Sequence, residues 1–181
     1  MESFWDFSIR TYRTPGVPDA CLSLQNDNGA DVNMVLYCCW IGAVIGAFDD
    51  RLFNRASDYS AHWAKNVVIP LREARTWMKL TGCDADLVPT DSCMELRENV
   101  KTVEFAAEKM QQEVLESMAS VENPGSNTPD HMMKDVVANL HLYAEYIGLN
   151  IQNDVKQKFL LIIEAAYPTW DTTELKGTLN I

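Results

Sequence analysis

The sequence predicts an all-α protein, a single-domain bundle of six or seven helices around a central apolar helix at about residues 32–48. Three observations carry this. Several stretches repeat apolar residues at alternating spacings of three and four, the period of one helical face. No segment alternates polar and apolar residues persistently enough to compete as a strand. And 181 residues with 47% apolar content can bury a substantial core without a disulfide or metal staple.

Ser3 can cap a first helix, with Asp6 three residues later as the acidic half of a capping box. "FWDFSIRTYR" then runs to Arg13, and "TPGVP" breaks it. Pro18 suits the first turn of a second helix, which carries Ala20, Cys21 and Leu24 and ends near Gly29. Between Val32 and Phe48 the one clearly polar side chain is Asn33. Those 17 residues fall short of the roughly 20 that a membrane helix needs, and "DDR" follows directly, so a buried central helix is predicted. Gly42 and Gly46 have the spacing that lets two helices approach closely.

A short helix is predicted around Arg51–Ala56. Trp63, Val67, Pro70, Ala74 and Trp77 then share one helical face, with a kink expected at Pro70. Gly82 ends that helix, and residues 82–90 read as loop. In the next helix Leu96, Val100, Val103, Ala107, Met110 and Val114 recur as the inward face, with carboxylates such as Glu104 and Glu108 on the exposed side. Residues 122–130, "ENPGSNTPD", read as an exposed loop. Thr128 and Pro129 open a helix bearing Met133, Val136, Leu140, Tyr143 and Ile147. A last helix turns Val155, Phe159, Ile162 and Ala166 inward, and Pro168 stops it. One helical domain thus covers 1–168, with an aromatic-rich half at 1–82 and an acidic half at 90–168. Residues 169–181 are expected to form a flexible tail.

The formal charge is −11. Residues 1–80 hold 8 basic and 9 acidic groups, against 7 and 17 in residues 81–181. Such a surface repels phosphate backbones and anionic headgroups, which argues against nucleic-acid or membrane partners. The opening "MESFWDFS" has no basic region followed by an apolar stretch, as a secretory signal would. Cys21, Cys38, Cys39, Cys83 and Cys93 form an odd set without framework spacing. They are expected to be free, mostly buried thiols in a reducing cytoplasm.

Few motifs carry chemistry. "LQNDNGADVN", residues 24–33, is rich in oxygen ligands. Setting Gly29 at position six of a calcium loop places Asn26 and Asn28 well, but puts Leu24 at position one and Val35 at twelve. A helix corner, with Gly29 left-handed and Asp31 capping the next helix, accounts for the same residues. There is no zinc spacing, no Walker loop and no nucleophile motif. His62 lacks a nucleophile nearby in sequence, and His141 with Glu145 reads as a surface pair. No catalytic residue, metal ligand or cofactor is assigned. Asn33 stands out, since its amide must find partners in an apolar helix or cost about 1–3 kcal/mol. Trp40 and Trp63 read as core. Trp5 and Trp77 suit either core or an interface.

Phe4, Trp5 and Phe7, then Pro15–Val17, Cys21–Gln25, Gly29–Asn33, and Leu36, Cys39, Trp40 and Gly42 together resemble the opening of a family of small all-helical proteobacterial proteins, conserved and of unknown function. The block Trp63–Arg72, with "VVIPLR", is similar too. Beyond residue 90 the likeness is one of helix pattern and the closing Tyr167–Pro168. The resemblance implies a helical fold and supplies no catalytic residues.

The expected function is therefore a non-enzymatic protein–protein interaction or helper subunit, bound to a protein partner or to itself. The alternative is a small-molecule binder or enzyme with a pocket between the N-terminal helices, lined by Trp5, Asn33, Tyr37 and Trp40. A metal-binding helical protein ranks third.

Overall fold

The computed structural model describes residues 2–83, 89–119 and 128–180. Among them are nine α-helices and one π-turn, with no strand. The helices are α1 (Phe4–Tyr12), α2 (Val17–Asn28), α3 (Val32–Val44), α4 (Asp50–Trp63), α5 (Ile69–Thr81), α6 (Thr90–Met118), α7 (Pro129–Tyr146), α8 (Asn153–Ala166) and α9 (Thr172–Leu179). The all-α bundle stands, with more helices than the six or seven expected. Most of residues 82–90 and 122–130, predicted as loops, lie outside the described residues.

Local chemistry sets the starts and stops. Ser3 Oγ accepts from the Asp6 N–H at 3.1 Å and donates to its carboxylate at 2.8 Å, which satisfies a donor orphaned at the helix start. Gly29 takes φ 70°, and the N–H groups of Gly29 and Ala30 donate back to Gln25 and Leu24. Asp31 then caps α3 by accepting from the Asn33 N–H at 2.9 Å. The polar stretch at 24–33 is a corner between two helices.

Every residue of α3 from Asn33 to Gly42 is buried. α3 stops at Val44, not at about 48. Gly46 turns the chain at φ 118°, and Asn139 receives it, accepting from the Phe48 N–H at 2.8 Å and donating to the Gly46 carbonyl at 3.2 Å. A Cβ added to Gly42 would lie 2.7 Å from the Val136 Cα and N, so α3 and α7 touch backbone to backbone. Phe4, Tyr37 and Trp40 cluster beside this contact, with the Phe4 ring 5.3 Å from Tyr37 and 5.6 Å from Trp40.

The interruption expected at Pro70 takes the form of a π-turn, Ala64–Val68, just upstream of the proline. A proline inside a helix removes one donor and crowds the carbonyl four residues back, and a wider turn is one way to relieve this. α4 fills the whole span Asp50–Trp63, longer than the short helix foreseen there.

Three expectations need correction. Of the flexible tail expected at 169–181, the described residues 169–180 are not free, because Asp171 caps α9 by accepting from the Glu174 N–H and Leu175 and Leu179 are buried. α9 packs on α7 and α8. Nor are all five thiols free. Cys83 and Cys93 form a disulfide with Cα atoms 6.0 Å apart, tying the end of α5 to the start of α6, while Cys21, Cys38 and Cys39 are free and buried. Sequence spacing could not show that α6 returns alongside α5. The third correction concerns α6, whose apolar stripe does not face inward as a whole.

Candidate functional site

The four residues expected to line a pocket lie in three settings: Tyr37 and Trp40 in the core, Asn33 in a buried polar network, and Trp5 against Phe105. Tyr37 and Trp40 are core, their polar atoms donating to the Leu115 carbonyl at 2.9 Å and the Glu2 carbonyl at 3.2 Å. Trp5 is half-buried on the outside of α1, edge-on to Phe105 at 5.0 Å, with Lys109 Nζ 5.6 Å from its ring centroid. Among the described residues, one surface cleft is bounded by Asp27, Asn28, Gly148 and Asp154, and another by Arg10, Leu161 and Pro168. Neither includes any of the four.

Asn33 does find its partners. Its Nδ2 donates to Gln111 Oε1 at 2.8 Å, and its Oδ1 accepts from Gln112 Nε2 at 2.7 Å. Gln111 Nε2 in turn reaches Ser60 Oγ at 2.7 Å and Asp31 Oδ2 at 2.6 Å, and Ser60 Oγ donates to the same oxygen at 2.6 Å. Tyr143 Oη accepts from the Asp31 N–H at 2.8 Å. The Asp31 carboxylate, surrounded by neutral donors, thus links α3, α4 and α6, and its backbone N–H ties in α7. The network satisfies both polar atoms of the Asn33 amide, leaves the buried Gln112 Oε1 without a partner, and fixes register. Ser60 has no histidine beside it, and His62 stands exposed next to Asn66. Among the described residues, no three His, Cys, Asp or Glu side chains are grouped to hold a metal ion.

The unusual surface lies elsewhere, on the arm formed by α5 and the first half of α6. No residue of α5 is buried. Its inner side carries Arg72 and Arg75, which meet carboxylates of α6. Arg72 Nε lies 3.2 Å from Glu104 Oε1 and its Nη2 lies 2.9 Å from Glu108 Oε1. Arg75 forks onto Glu104 through Nε and Nη2. Glu104 is only 5% exposed. Burial pushes the Glu108 carboxyl up from its ordinary range, and Arg72 opposes that push.

Outside, the polarity is reversed. Trp77 is 50% exposed, Leu80 78%, Leu96 52%, Val103 53% and Met110 51%. The expected inward stripe of α6 is therefore split. Ala107 and Cys93 point in along with Glu104, while Leu96, Val103 and Met110 point out. The physical reason is α5, which presents guanidinium groups where an apolar neighbour was assumed. Ion pairs between the two helices, with large apolar side chains among the charges outside, invert part of the pattern of a solvated helix pair. The sequence did hold a signal for this seam. Arg72 and Arg75 are three apart and Glu104 and Glu108 four apart, matched charges at helical spacing. Gln111 and Gln112, side by side between Met110 and Val114, likewise marked a polar crossing.

A family model described as "Protein of unknown function (DUF2390)" matches residues 3–115, which includes the whole arm. No curated protein and no solved structure matches the chain. Among the described residues, no helix is long and apolar enough to cross a membrane.

Proposed function

The chain belongs to DUF2390, a family whose function is unknown, and we propose from the geometry that it acts as a non-enzymatic interaction protein, docking a protein partner through the outer face of the α5–α6 arm. One observation carries this reading: the arm pairs Arg72 and Arg75 with Glu104 and Glu108 between its helices while Trp77, Leu80, Leu96, Val103 and Met110 stand at least half exposed. Exposed apolar patches rimmed by charge are favoured sites of association, and a half-exposed Trp is a common anchor.

The test is native mass spectrometry on protein isolated gently from its own cells, alongside the variant Val103→Glu. Val103 is half exposed, so the variant keeps its fold, checked by far-ultraviolet circular dichroism. The wild type is expected as a dimer or a defined hetero-complex and the variant as a free chain. A wild-type monomer carrying a reproducible small ligand would sink the proposal.

A further inference from the structure

We infer that the partner seated on the arm is a second copy of this chain, laid antiparallel along α6 about a two-fold axis at Val103; this rests on the interaction reading above. Leu96, Val103 and Met110 recur every seven residues and so share one face of α6. Each is about half exposed. Leu96 and Met110 stand equally far from Val103, so an antiparallel copy sets each Leu96 against the other's Met110 and the two Val103 side chains against each other. A surface that matches itself under a two-fold rotation is what an isologous dimer requires.

The charges beside the stripe choose the direction. Glu95 and Lys109 precede Leu96 and Met110 and lie on the same flank, both exposed. Antiparallel pairing brings each Glu95 to the other copy's Lys109, twice over. Parallel pairing would put the Glu95 and Lys109 flanks of the two copies on opposite sides of the seam and form neither pair. Asn99 and Ala106, also exposed, lie between on the same side and are small enough for two helices to approach. Lys109 now sits 3.7 Å from Glu113 and above Trp5, but an exposed pair of this kind is worth little and is easily exchanged. The ionic seam inside the arm is already complete, so α5 need not move. The stripe runs only about 21 Å, from a rise of about 1.5 Å per residue. That is short for a standard interface of about 800 Å² per partner, so the dimer should depend on concentration.

Sedimentation equilibrium of the full chain tests this, with folding of every variant checked by circular dichroism. The wild type should pass from 20.5 kDa towards twice that mass as concentration rises. Val103→Glu places like charges on the two-fold axis and should weaken association at least about tenfold. Glu95→Lys should weaken it as well, and adding Lys109→Glu should restore it. Only a homotypic antiparallel contact gives that rescue. A photo-crosslinker at position 103, used in cells, separates the two levels of the argument. Cross-linking to another copy supports the inference. Cross-linking to a different protein overturns the second copy and leaves the interaction reading standing. A wild type that stays monomeric and cross-links to nothing overturns both, and a dimer indifferent to Val103→Glu and to the charge swap overturns the α6 contact.

Discussion

Replacing Gly42 with alanine probes the contact between α3 and α7 directly. The added Cβ would sit 2.7 Å from the Val136 Cα, N and Cγ2. Two of those atoms are backbone, which no rotamer change can move. Ordinary contact begins near 3.4 Å, so the helices must part by about 0.7 Å or more, a gap that forfeits a quarter or more of each dispersion contact across the seam. Overpacking of this kind costs about 1–3 kcal/mol, and the rigid obstacle places Gly42→Ala in the upper half of that range. Alanine's better helix propensity returns about 1 kcal/mol. The net expectation is a loss of about 1–2 kcal/mol. At a urea slope of about 2 kcal/mol per M, the unfolding midpoint falls by about 0.5–1 M. Gly177, inside α9, has no atom within 4 Å of an added Cβ. The same substitution there should raise the midpoint by about 0.2–0.5 M. Movement of both variants in one direction would refute the reasoning, as would any rise for Gly42→Ala.

Other measurements reach other parts of the molecule. Gln111→Leu strips Asn33 Nδ2 of its acceptor and Asp31 of a donor, so urea unfolding should show a loss of about 2–4 kcal/mol; a change below about 0.5 kcal/mol would mean the network is not formed. Glu108 has its pKa raised from 4.5, first by burial, so its ionised form is disfavoured in the folded chain and its contribution falls as pH rises past 4.5. Glu108→Gln should therefore match the wild type in thermal midpoint at pH 4 or below and equal or exceed it at pH 7, and a variant less stable only at pH 7 would show that the Arg72 pairing outweighs burial. Iodoacetamide in denaturant should label three cysteines without reductant and five with it, read by intact mass. In the native fold at pH 8, Cys21, whose thiol burial pushes up to about 12, should stay unlabelled along with Cys38 and Cys39; five labels without reductant would rule out the disulfide.

What could be read in the sequence was mostly local. Gly29 and Asp31 announce their corner because a left-handed turn and a side-chain cap are settled by adjacent residues. The central helix was legible from its apolar run, though its end was not, because the residue that receives the chain at Gly46 and Phe48 is Asn139, on α7. Asn33 was correctly marked as needing partners. Those partners stand 78 and 79 residues away on α6, beyond the reach of any local rule. The α6 stripe misled for a related reason. Periodicity tells which residues share a face, while the direction of that face depends on the neighbour. There the neighbour is Arg72 and Arg75, and Glu104 turned inward in place of Leu96 and Val103. The small C-terminal helix was missed although its signals were present, Asp171 as a cap and Leu175 and Leu179 one turn apart.

The amide contacts of Gln111 and Gln112 also give α6 the mechanics of a lever. The helix is gripped at that point by α3 and α4. Outward from it, the residues back to Thr90 project about 30 Å at a rise of about 1.5 Å per residue. Inward, the remainder to Met118 spans about 10 Å by the same rise and bears on Tyr37 through the Leu115 carbonyl and on Phe4 through Glu116. The ratio is about three to one. A load that deflects the tip of the arm by about 3 Å would, for a rigid helix, shift the aromatic cluster under α1 by about 1 Å. Interiors packed this tightly do not absorb such a shift gradually. A displacement of the arm's tip would therefore arrive, geared down and stiffened, at the other end of the same helix.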